Sequence, residues 1–153
     1  MVDRSRVTKI IVLCGSNNID GILHSPKHQR NFMISPSSVD RAEYDNCQED
    51  IKNLVVLLHN WAPMANIKFL NILPRESWGR NDLISKINWF ISKLAENHPY
   101  VDFISTESDR KLFTDGNGYR KSIFFSSKGT DNIHLNTLGV IRLAKHLKHI
   151  AHI

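Results

Sequence analysis

Three short apolar runs punctuate the chain and set its pattern of hydrophobic and polar positions. They are "KIIVLCG" (9–15), "NIKFLNILPR" (66–75) and "VDFIST" (101–106). Short apolar runs that end at Gly, Pro or polar residues are typical of strands. The first run shows no alternation, which predicts a strand buried on both faces, with Cys14 as a buried thiol.

Apolar residues recur at helical spacing in three further stretches, 47–63, 81–99 and 136–153. In the stretch 47–63, the apolar residues that share one face of the predicted helix are Ile51, Leu54, Val55, Leu58 and Trp61. Asn136 or Thr137 is placed to cap the last helix. Residues 16–46 and 107–133 are polar and interrupted by Gly or Pro, and are therefore interpreted as loops.

The predicted elements follow the order strand, helix, strand, helix, strand, helix. This alternation favours an α/β fold, a three-layer α/β/α sandwich around a short parallel sheet. Ligands of such folds bind beyond the carboxyl ends of the strands. The residues after the first strand and before the last helix are therefore the candidates for chemistry.

Length and composition favour one globular domain over residues 1–153. The chain has 153 residues, of which 41% are hydrophobic. No apolar run is long enough to span a bilayer, and the first residues show no signal-peptide cleavage site. We therefore expect an intracellular protein. Cys14 and Cys47 have no metal-binding spacing.

The formal charge of +5 leaves two interpretations open. Basic residues lie in small groups, at 4–9, 27–30 and 145–148. A solvated basic surface is the simpler interpretation. Weak contact with nucleic acid is the alternative, since a positive field attracts phosphate without specifying a function.

Asp131 and His134 lie three residues apart in "DNIHLNTLGV" (131–140), directly before the last predicted helix. A carboxylate beside a histidine can orient an imidazole as a general base. A histidine that only bonds its neighbour at a helix start is the structural alternative. Asn17, in "GSNN" after the first strand, could likewise serve only to cap a turn.

Taken in order, "VLCGSNN", "NILPR" and "DNIHLNTLG" resemble the SGNH or GDSL-type hydrolase superfamily, over about residues 9 to 150. The resemblance implies a flavodoxin-like fold, hydrolysis of an acyl ester and no metal or organic cofactor. It implies that His134 is the general base, that Asp131 orients it, and that Asn17 donates to the oxyanion. Gly15 and Asn18 are weaker candidates for substrate binding.

The sequence departs from the family pattern at the nucleophilic serine. The family's serine lies in a Gly-Asp-Ser motif on an earlier strand, and this sequence contains no such motif. Ser16 is the variable position of "GSNN" and lacks the context of a nucleophile elbow. We therefore expect a partial domain that lacks N-terminal strands and is inactive alone, or half of a split esterase completed by a partner chain. A non-catalytic module that binds nucleic acid or protein is the remaining alternative.

His146, His149 and His152 recur at every third position near the end of the chain. Three histidines on one helix do not converge as a metal site requires. We expect them to form a solvated face, and we predict no metal site.

Overall fold

Three parallel strands of the described residues form a sheet at the centre of the protein. In the computed structural model, which describes residues 3–22, 40–76, 78–108, 110–128 and 133–150, its strands are β1 (Lys9–Val12), β2 (Asn66–Leu70) and β3 (Val101–Ile104). Their order is β1-β2-β3, so β2 is central. Both neighbouring pairs are parallel, which confirms the predicted sheet.

In the part of the chain that the structure describes, four helices flank this sheet and complete the predicted three-layer α/β/α sandwich. They are α1 (Ser16–Ile22), α2 (Arg41–Trp61), α3 (Trp78–Glu96) and α4 (Thr137–Ile150). Helix α1 and the first turns of α2 lie in the segment that was predicted to be a loop, so that prediction is wrong for these residues. Asp40 explains the early start of α2, because its carboxylate accepts the Glu43 N–H at 3.1 Å as an N-cap.

Helices α1, α2 and α3 pack together against one face of the sheet and enclose the main core. Alternation along β2 decides which side chains enter it, since Ile67 and Phe69 are buried there. Lys68 points to the opposite face, where its ammonium bonds the Asp102 carboxylate of β3 at 2.7 Å. The fully enclosed members of the core are Ile19, Ile22, Val55, Ile67, Phe69, Ile72, Ile87 and Ile91.

Strand β1 is less buried than its apolar sequence predicts. Its residues alternate between exposed and half-buried, and Ile11 keeps 38% of its surface exposed. The physical reason is position: β1 lies at one end of the described sheet, with β2 as its partner on one side. Cys14, just beyond the strand, is exposed rather than buried. Trp61 is also 38% exposed at the end of α2, outside the helix packing predicted for it.

Helix α4 belongs to a second, smaller apolar cluster, built with the segment that follows β3. Leu112, Phe113 and Phe125 are its buried members. Asn136 caps α4 as predicted, because its side-chain oxygen accepts the Gly139 N–H at 3.0 Å. The same side chain donates to the carbonyl oxygen of Ile123 at 2.7 Å, which ties the helix to the 3-10 turn Ser122–Phe124.

No helix in the described part of the chain is both long enough and apolar enough to cross a membrane.

Candidate active site

The turn after β1 is held close to the segment that follows β2. Gly15 has a φ of +99°, a left-handed conformation that side chains disfavour. A Cβ on Gly15 would also lie 2.8 Å from Cδ1 of Ile72. The left-handed backbone therefore requires glycine at this position, and a side chain there would also have to displace the end of the Ile72 side chain.

The first turn of α1 places both candidate asparagines at the surface. Asn17 and Asn18 are exposed, and the Asn18 N–H donates to the Gly15 carbonyl oxygen at 3.1 Å. The Asn17 side chain makes no hydrogen bond to any part of the chain that the structure describes, so its amide is available to a ligand. This arrangement does not support the alternative in which Asn17 serves only to cap a turn.

A buried ion cluster joins these two segments across the sheet edge. The Asp20 carboxylate accepts from Arg75 Nη2 at 3.1 Å and from Arg80 Nε at 2.7 Å. All three side chains are almost fully enclosed. Arg75 also donates to the Ser16 carbonyl oxygen at 3.4 Å. Helix α1 is thereby attached to the segment after β2 at two points.

The charges in this cluster lower the pKa of Asp20 below its ordinary value. Burial alone would raise that pKa, because it disfavours the ionised form. The hydrogen bonds and positive charges of Arg80 and Arg75 outweigh burial. Asp20 is therefore ionised at neutral pH and serves as the shared counter-ion of two buried arginines.

Two asparagines of α3 bond the backbone of the segment after β2. Asn88 accepts the Ile72 N–H at 2.7 Å and donates to the Ile72 carbonyl oxygen at 3.2 Å. Asn81 makes the same pair of bonds with Arg75: it accepts the Arg75 N–H at 2.7 Å and donates to the Arg75 carbonyl oxygen at 2.8 Å. Each amide replaces the hydrogen bonds that a neighbouring strand would make. Arg75 is consequently fixed at both its backbone and its side chain.

The segment after β3 is organised around one carboxylate. Glu107 accepts from the backbone N–H groups of Phe113 and Thr114 at 2.9 and 3.0 Å, and from the Thr114 hydroxyl at 2.6 Å. Further along, Arg120 donates to Glu76 at 2.6 Å. Burial lowers the pKa of Arg120, and the charge of Glu76 opposes that shift. The Glu107 bonds hold the segment together, and the Arg120–Glu76 bond attaches it to the segment that follows β2.

His134 lies on a short antiparallel pairing that precedes α4. Its carbonyl oxygen accepts the Ser126 N–H at 2.8 Å, and the next residue, Leu135, bridges to Phe125. The His134 side chain is exposed. Asp131 lies outside the described residues. Its pairing with His134 therefore stays a prediction.

The structure thus places Gly15, Asn17 and Asn18 in one turn and His134 before α4, whereas Asp131 lies outside the described residues. Gly15, Asn17 and Asn18 lie at the carboxyl edge of the sheet, as their position after β1 predicts. Sequence reasoning missed Asp20 as a member of this region, because the residues around it were taken for a loop. The available signal was Arg75, a charged residue directly after a buried apolar run.

A cavity of about 360 Å³ lies beside this region, between α3 and the segment after β3. Asn88, Trp89, Ser105 and Glu107 are among its lining residues. Neither the Gly15–Asn18 turn nor His134 lines it. Asn88 and Glu107 already use their polar atoms within the chain, so this cavity does not mark the candidate site.

The described residues contain no group of three or more His, Cys, Asp or Glu side chains that could hold a metal ion. Of the terminal histidines, His149 is exposed and His146 is buried, and His152 lies outside the described residues. The expectation of a solvated face is therefore wrong for His146. Its Nε2 donates to the Ser105 carbonyl oxygen at 3.3 Å, because the inner side of α4 faces the end of β3.

Comparison with known proteins gives a likeness of fold. No protein-family model matches the sequence, and no curated protein matches it. One solved structure, of a Streptococcus pneumonia protein provisionally described as a platelet activating factor, superposes with a TM-score of 0.67. The match covers 94% of this chain and 59% of that chain, at 24% sequence identity. A likeness at this identity shows the fold alone.

Proposed function

We propose that this chain is part of an ester hydrolase of the SGNH type and acts on a small acyl ester. In this proposal His134 is the general base, and Asp131 orients and stabilises its imidazolium. Asn17 donates its side-chain amide to the oxyanion, while Gly15 and Asn18 lie beside the substrate. The proposed chemistry needs no metal or organic cofactor.

The observation that carries the proposal is the contact between the two segments that define the resemblance in the first half of the chain. "GSNN" and "ILPR" are about 55 residues apart, yet Arg75 bonds both Ser16 and Asp20. Asn17 lies between these two contacts, at the carboxyl edge of the sheet, and its side-chain amide bonds none of the described residues. Ligands of open parallel sheets bind at that edge.

The proposed mechanism also needs a nucleophilic serine, which we do not assign to any of these 153 residues. Ser16 is the first residue of α1, and its carbonyl oxygen is held by Arg75. Loss of a triad serine lowers kcat by about 10⁶. We therefore propose that the serine comes from a segment outside these 153 residues, in the same polypeptide or in a partner chain. The chain by itself then has negligible esterase activity.

Hydrolysis of 4-nitrophenyl acetate by the isolated chain and by its His134→Ala variant tests the missing nucleophile. We expect equal rates close to the uncatalysed background. Turnover well above background that disappears in His134→Ala would show that the chain supplies its own nucleophile.

Sequencing the native transcript upstream of the Met1 codon tests the completed site. We expect an open frame, or a separate partner gene, that encodes a strand ending in Gly-Asp-Ser. In the completed enzyme, Asn17→Ala should lower kcat by about 10²–10³, the usual contribution of one oxyanion donor. Asn53→Ala, an exposed asparagine on α2, is the matched control and should leave kcat unchanged. Full activity of Asn17→Ala would remove Asn17 from the site.

A further inference from the structure

Positive charge is concentrated in the last part of the chain. Residues 1–109 contain twelve lysines and arginines against thirteen acids, a formal charge of −1. Residues 110–153 contain eight against two, a formal charge of +6. The excess charge of the whole protein therefore comes from α4 and the segment before it.

The lysines of this region are not neutralised within the described structure. Lys145 and Lys148 are exposed on α4 and form no ion pair with any described residue. On α3, by contrast, Lys86 bonds Asp82 at 2.8 Å and Lys93 bonds Glu96 at 2.8 Å. The charge on α4 is therefore available to an external anion.

Aliphatic side chains share the same strip of α4 with these lysines. Leu138 and Ile141 are 55% and 47% exposed. Residues 138, 141, 145 and 148 are three or four positions apart, so they lie on the same side of the helix. The buried residues Gly139 and His146 lie on the opposite side of the helix. Ile123, on the 3-10 turn packed against α4, is 66% exposed. This surface, hereafter the α4 strip, comprises Leu138, Ile141, Lys145 and Lys148.

We propose that the α4 strip docks the protein on the surface of an anionic lipid bilayer. Helices that lie in a membrane interface combine aliphatic side chains, which enter the acyl boundary, with lysines that contact the headgroups. The strip has this composition, and its charge complements an anionic leaflet. The helix lies on the surface and does not cross the bilayer.

The aliphatic residues favour a bilayer over nucleic acid as the partner. Nucleic-acid surfaces are bound through cations, polar donors to phosphate and bases, and aromatic rings that stack on bases. Leu138 and Ile141 supply none of these interactions, and the α4 strip has no aromatic residue. An anionic bilayer has an apolar layer below its charged surface and can therefore contact both the aliphatic residues and the lysines of the strip.

Co-sedimentation of the full chain with vesicles tests the proposal. We expect binding to vesicles of phosphatidylcholine with phosphatidylserine, little binding to phosphatidylcholine alone, and weakening as salt is raised. Charge reversal in Lys145→Glu/Lys148→Glu should lower the apparent affinity by at least about tenfold. Leu138→Ser/Ile141→Ser should lower it by a similar factor, because the acyl contact is lost. All four side chains are exposed, and circular dichroism checks that each variant is folded.

Lys86→Glu/Lys93→Glu on α3 is the matched control, since it changes the net charge equally on a different helix. It should reduce vesicle affinity by less than about threefold. An equal loss in this control would show a general charge effect and overturn the proposal. So would the absence of binding to anionic vesicles by the unmodified chain. Binding to a single-stranded oligonucleotide that Leu138→Ser/Ile141→Ser leaves unchanged, without vesicle binding, would assign the lysines to nucleic acid instead.

Discussion

At the scale of single residues, Gly139 shows how closely α4 approaches its neighbour. A Cβ at this position would collide with the carbonyl oxygen of Phe124 and with the Leu135 side chain. The contact is with the backbone of the 3-10 turn, which cannot move aside as a flexible side chain can. Glycine is therefore required by space, although its backbone conformation is helical.

Gly139→Ala should lower the free energy of unfolding by about 1–3 kcal/mol, the usual cost of overpacking. Urea denaturation followed by circular dichroism measures this loss. Gly21→Ala is the control, because a methyl group added to Gly21 in α1 would meet no heavy atom within 4 Å. That variant should be unchanged or more stable by up to about 1 kcal/mol, since alanine favours helix. Equal stability of Gly139→Ala and the unmodified protein would contradict the close contact.

Asp20 is the residue whose ionisation should matter most to stability. Its pKa in the folded protein is lowered, whereas the pKa of an unfolded Asp is about 3.9. Its contribution is thus present above the unfolded pKa and is lost as the pH falls through the folded value. We expect the free energy of unfolding to fall below about pH 4.

Asp20→Asn should remove this acid-sensitive component and cost about 3–5 kcal/mol at neutral pH, because two buried arginines lose the negative charge that they share. Urea titrations at several pH values compare it with Asp82→Asn, a control that breaks an exposed ion pair of α3. The control should cost less than about 1 kcal/mol. The ion cluster would be unimportant if the two variants were equally stable.

At the scale of elements, side chains of α3 supply the backbone hydrogen bonds that the segment after β2 lacks once it leaves the sheet. Asn88 and Asn81 each supply one acceptor and one donor to a backbone that has left the sheet. Buried backbone groups need such partners, because unsatisfied ones lose their bonds to water without replacement. These bonds fix the position of the segment, which places Arg75 beside Asp20.

Asn88→Ala should lower the free energy of unfolding by about 1–3 kcal/mol, since the Ile72 backbone loses both partners. Asn97→Ala, an exposed amide that donates to the Lys93 carbonyl oxygen at 2.9 Å, is the control. It should change stability by less than about 0.5 kcal/mol. Thermal or urea unfolding measures both values. Similar small changes in the two variants would show that Asn88 is not needed to hold the segment.

At the scale of the whole molecule, the sheet presents an apolar edge strand. Within the described residues β1 pairs only with β2, and Ile11 and Leu13 are 38% and 49% exposed. Natural proteins usually protect such edges, because unpaired strands bind other strands. This edge is where our proposal would place the strand that supplies the nucleophile.

The isolated chain should therefore self-associate as its concentration rises, as measured by sedimentation velocity. Ile11→Lys should weaken that association, because a charged lysine on an edge strand opposes pairing. Val56→Lys introduces the same charge at an exposed position of α2 and should have no such effect. A monomer at every concentration would show that the edge of β1 is already protected.

Local pattern by itself determined the class of the fold and much of its order. The three strands, the three long helices and the Asn136 cap depend on residues close together in the chain, so periodicity and capping chemistry predict them. The same reasoning placed the Gly15–Asn18 turn at the carboxyl edge of the sheet. It also identified Asp131 and His134, whose pairing stays a prediction.

Only the tertiary structure decided the environments that depend on distant neighbours. The exposure of Cys14 and Trp61, the burial of His146 and the pairing of Asp20 with Arg75 and Arg80 all follow from elements far apart in sequence. Helix α1 is a short segment of seven residues, too short to show a clear helical period. Burial and ion pairing depend on which distant residues pack together. A local sequence pattern does not identify those residues.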